Sequence, residues 1–346
     1  MKAIVYEGVE KLVLKDVPEP EPQEDNVIIE VEGCAICGTD VKAYLYGISS
    51  IRPPVILGHE LVGKIVHKGS KIEYFNEGDR VTIATTLPCG NCRMCRKHLF
   101  NLCLNKQPIG TFINGGFAKY LAVPPRGIAH GNLIKLPEIV EGIDGCICEP
   151  LGCVINAQKL ASVGPFDTVV VIGGGPLGIL HAETAKARGA RKSILIQRSE
   201  KRFEMAKRFN IDNIICSSKT NPVKAVKEMT NGAGAEVVIN AAPTHEAVEL
   251  AFELVAKSGR ISLFASLPKT QPKLEIDLNK IHYEQISVFG ASDSTAKDHE
   301  EAVNLIGEKK ISAKKLITHK MPLSDFKKAI DLILNREALK VVLIPE

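Results

Sequence analysis

The chain has no tryptophan, and phenylalanine and tyrosine make up only 5% of its 346 residues. Proteins that hold single-stranded nucleic acid stack bases on aromatic rings along a basic groove. With so few rings, a net charge of only +4 and lysines and arginines scattered rather than blocked, nucleic acid is excluded as a partner. No apolar run approaches the length of a membrane span, and the opening MKAIVYEG has no hydrophobic signal core. The expectation is therefore a cytoplasmic protein with no membrane partner. Internal repeats and low-complexity tracts are also missing. What remains is a chain long enough for about two domains, with hydrophobic and charged shares of 45% and 24% that are ordinary for a globular protein.

Cysteine, by contrast, is plentiful, with ten residues. Without a secretion signal, clustered cysteines read as metal ligands rather than disulfides. Cys89, Cys92, Cys95 and Cys103 lie in one short stretch, spaced C-x2-C-x2-C-x7-C. Four thiolates with no open position suit a closed tetrahedral zinc site. The ferredoxin run has a shorter last gap followed by proline, whereas here Leu104 follows Cys103, so redox-inactive zinc is expected over an iron–sulfur cluster.

The second dense signal is TVVVIGGGPLG, residues 168 to 178. A β-branched run from Thr168 to Ile172 reads as a buried strand and enters Gly173, Gly175 and Gly178, spaced G-x-G-x-x-G. A helical stretch from Pro176 to Arg188 follows. Strand, glycine turn and helix start are what a dinucleotide pyrophosphate needs: backbone that can approach closely, and free N–H groups at the positive end of a helix. Gly173, Gly175, Pro176, Leu177 and Gly178 are the expected coenzyme-facing turn.

Around these signals the chain changes rhythm. Up to about Cys146 it carries many short strand candidates, including KAIVYEG, VIIEVEG, Leu61–His67, Arg80–Ala84 and Phe117–Val123, which point to a small barrel or sandwich. From about Gly152, strand candidates alternate with helical stretches such as Glu200–Phe209 and His245–Lys257, the rhythm of a doubly wound parallel sheet. The fold class expected is α/β.

Sparser polar signals complete the picture. Cys37 lies in CGTD, His59 and Glu60 in GHE, and Glu149 in CEPLG. Sulfur, imidazole and carboxylate make a plausible catalytic zinc shell if one position stays open. Taken singly, each has an ordinary alternative as a core or surface residue.

Taken together, CGTD at 37–40, GHE at 58–60, the four-cysteine lobe at 89–103, GGFAKY at 115–120, EPLG at 149–152, GGGPLG at 173–178 and ITHKMPL at 317–323 span nearly the whole chain. In these motifs it resembles the zinc-containing medium-chain dehydrogenase/reductase (alcohol dehydrogenase) family, near the sorbitol/polyol and L-threonine dehydrogenase branches. The resemblance implies a GroES-like β-barrel catalytic domain over residues 1–151, a Rossmann coenzyme domain over 152–289 and a C-terminal return to the first domain over 290–346, with the active site in the cleft between domains. It implies two zinc ions per subunit, the structural one on the four-cysteine lobe. Cys37 and His59 would ligate the catalytic zinc, with Glu60 in the resting shell and Glu149 as partner or alternate ligand. Thr39 matches the hydroxyl that bonds the substrate oxygen and begins a proton relay, although a turn or cap role is equally simple. The substrate is then an alcohol or polyol, or the matching ketone, and a homodimer or homotetramer is implied.

Two departures weaken sorbitol as the substrate. Lys42 stands where polyol and threonine dehydrogenases commonly have histidine, and FGASDS carries Gly290 where polyol enzymes tend to have arginine. An L-threonine-type amino-alcohol dehydrogenase, a catalytically silent nucleotide-binding redox sensor and a thiolate electron-transfer protein are the competing readings. The sensor is expected to have lost Cys37, Thr39 or His59, and all three are present.

Coenzyme choice turns on the end of the second strand of the parallel sheet. NAD-selective domains place an acidic residue about 20 positions after the glycines, where it binds ribose hydroxyls and repels a 2′-phosphate. Here that place, 19 residues beyond Gly178, is the neutral Gln197, with Arg198, Ser199, Lys201 and Arg202 next. Arg198 and Ser199 resemble the Ala-Arg-Ser pattern of NADP-dependent ketose reductases in the family. NADP is expected in preference to NAD, with Ser199 as a simple helix cap the alternative.

Overall fold

The computed structural model describes residues 1–346. The chain divides into two compact units, one formed by residues 1–152, 293–307 and 316–346 and the other by 153–292 and 308–315.

The first unit is built mainly on antiparallel strands, with Ile317–Pro322 and Lys340–Ile344 paired in parallel. Its main sheet runs Leu133–Lys135, Arg80–Ile83, Glu60–Lys68, Val27–Ala35, Lys340–Ile344, Ile317–Pro322, with Tyr120–Val123 also paired to Val27–Ala35. The fully buried Ile29, Leu57, Leu61 and Ile83 are part of its core. Three of these strands are held in register at one residue: Ala35 faces Glu60 on one side and Val342 on the other. The last strand of the chain is thereby laid beside the strand that leads into Cys37, and Ile36 N–H donates to Val341 O at 2.9 Å.

The second unit is a six-stranded parallel sheet in the order Asn213–Cys216, Lys192–Gln197, Thr168–Ile172, Ala235–Asn240, Val255–Leu263, Ser287–Gly290. This is the 3-2-1-4-5-6 order of a dinucleotide-binding domain, with the glycine turn leaving the central strand at the point where the order reverses. All five residues of Thr168–Ile172 are buried, as expected for a strand covered on both faces.

Several boundaries differ from the sequence-based expectation, for local reasons. The helix expected over His245–Lys257 ends at Leu254, and Val255 begins a strand at once. The β-branched Val255 and register with Ala235 outweigh helical periodicity there. The helix expected to Phe209 ends at Ala206. Among the helices not expected from the sequence are Gly38–Tyr46, short and weakly patterned, and Cys148–Leu160, with a proline in its first turn.

Two buried histidines lie outside the candidate site. His181 and His299 have no exposure, and burial pushes each imidazole down to about 3. His299 Nε2 lies 3.2 Å from Thr82 Oγ1, whose own hydrogen goes to Leu61 O at 2.9 Å, so the ring is a neutral donor through Nε2. An unfolded histidine titrates near 6.5, so between about pH 6.5 and 3 the unfolded chain binds the extra protons. Stability is therefore intact above that window and falls on acidification, by about 1.4 kcal/mol per pH unit per histidine. His299→Asn is expected to shrink the loss of unfolding free energy between pH 7 and pH 5 by about 2 kcal/mol, read by urea titration. An unchanged loss would show that His299 does not enter the acid transition.

Candidate active site and metal centres

The four-cysteine lobe is assembled by single turns rather than by regular elements. Cys95 opens the 3-10 turn Cys95–Lys97, and Cys103 closes the turn Phe100–Leu102. The Arg126 guanidinium donates to Pro88 O and Asn105 O, pinning both ends of the loop. Sulfur separations are 3.9 Å for Cys89–Cys95, 3.5 Å for Cys92–Cys95 and 3.9 Å for Cys92–Cys103. These are far beyond a disulfide bond. Zinc bonded to sulfur at about 2.3 Å makes a tetrahedron with edges of about 3.8 Å, so the four sulfurs fit that ion. Backbone N–H groups of Cys95 and Leu104 point at the Cys92 sulfur and bring its thiol down to about 6, whereas burial and the neighbouring sulfurs push Cys95 up to about 12. Part of the lobe is thus already disposed to ionise.

The second cluster joins Cys37, His59 and Glu60, whose ligand atoms all lie within 4.8 Å of one another. Cys37 stands at the N-cap of Gly38–Tyr46, and its N–H donates to Asp40 Oδ2 at 2.8 Å. Asp40, rather than Thr39, therefore closes the first turn. Thr39 is half-buried in that turn, and Lys42 is exposed to solvent. His59 and Glu60 arrive at the start of the strand Glu60–Lys68. The His59 Nδ1 atom is buried with no hydrogen-bond partner, and Asp40 Oδ1 stays 3.6 Å away.

Glu149 lies in the first turn of Cys148–Leu160, outside that tight cluster but within its electrostatic reach. Burial, reinforced by Glu60 and Asp293, pushes its carboxyl up to about 7 against the pull of His59. Burial alone would keep the His59 imidazole neutral, yet Asp40, Cys37 and Glu149 carry it well above its ordinary range. Acidic groups thus outnumber basic ones, and an orphaned imidazole nitrogen stands among them. A thiol, an imidazole and carboxylates with surplus negative charge fit a divalent zinc ion.

Three charged residues of this region were missed from the sequence. Asp40 could have been found, three positions after Cys37 in the spacing of a capping box. Asp293 could not: it comes from an irregular segment far along the chain, where Oδ2 accepts from Thr86 Oγ1 at 2.5 Å and from Lys106 Nζ at 3.2 Å. The third is Lys340, buried at 5% exposure, whose ammonium donates to both carboxylate oxygens of Glu60 and sits 3.4 Å from Ile36 O. Burial works against its charge, but Glu60, Cys37 and Glu149 more than offset this and hold its pKa above the ordinary value. Removing one partner of such a pair strands a buried charge and costs about 3–5 kcal/mol. The only clue in the sequence is a lysine inside the apolar run ALKVVLI.

The glycine turn adopts the conformation its residues permit. Gly173 has φ +110°, and a Cβ on Gly178 would stand 1.7 Å from Gly173 O, so both positions demand glycine. Gly175 is the N-cap of Pro176–Ala187, with Pro176 and Leu177 in its first turn. Gln197 is turned onto this loop and accepts the Gly174 N–H at 2.7 Å. Ser199 stands at the N-cap of Glu200–Ala206, yet its hydroxyl makes no capping bond. Arg198 is exposed, while Arg202 is half-buried with a guanidinium nitrogen 3.7 Å from where a Gly175 Cβ would stand.

Comparison with known proteins agrees along the whole chain. Residues 23–138 match the model of the alcohol dehydrogenase GroES-like domain, and residues 176–308 that of the zinc-binding dehydrogenase domain. The chain is 35% identical to sorbitol dehydrogenase of Halalkalibacterium halodurans over 100% of its own length and 99% of that protein's. It is 33% identical to L-threonine 3-dehydrogenase of Thermococcus kodakarensis, covering 97% and 94%. A zinc-binding dehydrogenase of Sinorhizobium meliloti, solved with NADP bound, superposes with a TM-score of 0.92 at 30% identity over 99% of each chain. No helix is long and apolar enough to cross a membrane.

Proposed function

This chain belongs to the zinc-containing alcohol dehydrogenase family, and on that premise we propose that it moves hydride between NADP and a secondary alcohol, polyol or sugar derivative. The observation that carries the reading is the gathering of Cys37, His59 and Glu60 within 4.8 Å, in a chain that also bears the glycine turn. Cys37 and His59 would hold a catalytic zinc, with Glu60 and Glu149 as its carboxylates, and the four-cysteine lobe a structural one. Zinc supplies a Lewis acid that polarises an alcohol or carbonyl oxygen. Thr39, half-buried two residues beyond Cys37, is the hydroxyl that takes the substrate proton and passes it outward. Glu60, Glu149 and Asp40 place negative charge around Cys37 and His59, so a cation held there would be compensated rather than isolated.

The substrate class follows the named relatives, polyol and amino-alcohol dehydrogenases alike. A panel of polyols, sugar acids, amino alcohols and simple secondary alcohols, each with both coenzymes, separates the two branches. Turnover with none of them would remove the reading. Self-association into a homodimer or homotetramer is supported by the open sheet edge Ser287–Gly290, where Val288 is 39% exposed. Sedimentation as a monomer would refute it.

For the coenzyme, the neutral Gln197 is engaged with Gly174, and Arg198 and Ser199 are left to meet a 2′-phosphate. A charge-assisted bond contributes about 1.5–3 kcal/mol, or roughly tenfold or more in affinity. Arg198→Ala is expected to reduce kcat/KM for NADP about tenfold with little change for NAD, and Gln197→Asp to reverse the preference. A wild-type enzyme favouring NAD tenfold would overturn this assignment.

A further inference from the structure

Lys340 is the strongest feature that the proposed reaction leaves unused. It is the one cation buried among the candidate ligands, and it comes from the far end of the chain. Three adjacent strands bring it there. Ala35 pairs with Glu60, Val342 pairs with Ala35, and residues 340 and 342 share a face of the last strand. The ammonium meets both oxygens of Glu60 and lies close to Ile36 O, one residue before Cys37. We infer that Lys340 is a positioning residue of the metal centre, holding the Glu60 carboxylate in the ligand cluster and compensating its charge. The inference rests on the zinc site proposed above.

The physical case has two parts. A carboxylate with free rotation about its last bond samples many orientations, and one gripped at both oxygens samples few. Groups that orient a metal ligand in this way commonly change metal affinity 10–100-fold when removed. Charge is the second part. Cys37, Asp40, Glu60 and Glu149 crowd one buried region, and without an internal cation the metal-free site would leave Glu60 facing Glu149 and Asp40 with its charge uncompensated. A lysine serving only as a fold clamp would grip Glu60 equally well but would leave metal retention at Cys37 and His59 unchanged.

The test is zinc dissociation from the zinc-loaded enzyme in a chelator competition, with the lobe zinc as internal reference, and the absorption of cobalt placed at the Cys37–His59 site. Lys340→Met is expected to release the site metal 10–100-fold more readily and to alter the cobalt bands, leaving the lobe ion unaffected. Lys340→Arg, which keeps a two-pronged donor, is expected to restore most of the affinity. In a Glu60→Gln background, Lys340→Met should produce no further loss. That double variant also removes both buried charges, so it keeps the comparison available if Lys340→Met alone fails to fold. Wild-type metal retention in Lys340→Met, or equal losses in both backgrounds, would overturn the inference. Absence of any metal at Cys37 and His59 in the wild type would instead overturn the site assignment itself.

Discussion

His59→Ala is expected to lower kcat by about a thousandfold or more. His59 is one of two strong donors in the cluster with Cys37, and its loss leaves a thiol and carboxylates to hold the metal. Lewis-acid polarisation by a bound metal contributes several kcal/mol to such a reaction, and each 1.36 kcal/mol is tenfold in rate. Coenzyme affinity should change little, because the glycine turn at Gly173–Gly178 belongs to the other compact unit. Coenzyme titration followed by nicotinamide fluorescence, beside steady-state rates, separates the two effects. Normal turnover by His59→Ala, or by enzyme stripped of zinc at this site, would end the metal-dependent mechanism.

Cys95→Ser should act on the other axis, stability. Cys95 is buried, and its sulfur is within 3.9 Å of those of Cys89 and Cys92. A hydroxyl in its place is a poor zinc ligand in a sulfur set, so the zinc content should fall by one ion per chain. Structural zinc contributes folding free energy directly. A loss of about 3 kcal/mol is in the range of large single-residue effects, and at 2–4 °C per kcal/mol Tm would drop by roughly 6–12 °C. The KM of the molecules that stay folded should be unchanged, because the lobe has no open position for substrate. Full zinc content and an unaltered melting curve would show that the lobe holds no metal.

Motifs whose function requires closeness in sequence were legible in full. The four cysteines fall within fifteen positions, and their sulfurs gather because the loop between them is short. The glycine turn was legible because Gly173 and Gly178 answer local steric demands. The limits of helices and strands were less well placed. Whether Val255 continues a helix or begins a strand is settled by its pairing with Ala235, twenty residues earlier. Around the coenzyme turn the residue types could be read, but not that Gln197 turns onto Gly174 or that Ser199 leaves its helix uncapped.

By itself, then, the sequence determined the family, the α/β class with its dinucleotide turn, and which thiol, imidazole and carboxyl groups are chemically able to hold zinc. Those properties reside in residue type and short spacing, which the order of residues alone preserves. Tertiary structure alone decided how closely those groups gather, with Cys37, His59 and Glu60 within 4.8 Å and Glu149 outside that cluster, and what charge surrounds them. Cys37 and His59 are 22 positions apart, and Lys340 reaches Glu60 across 280 residues. Strand register brings them together, through long-range hydrogen bonds between backbones whose side chains carry no mark of their partner. A buried lysine in a terminal strand becomes meaningful only once the sheet has put Glu60 within its reach.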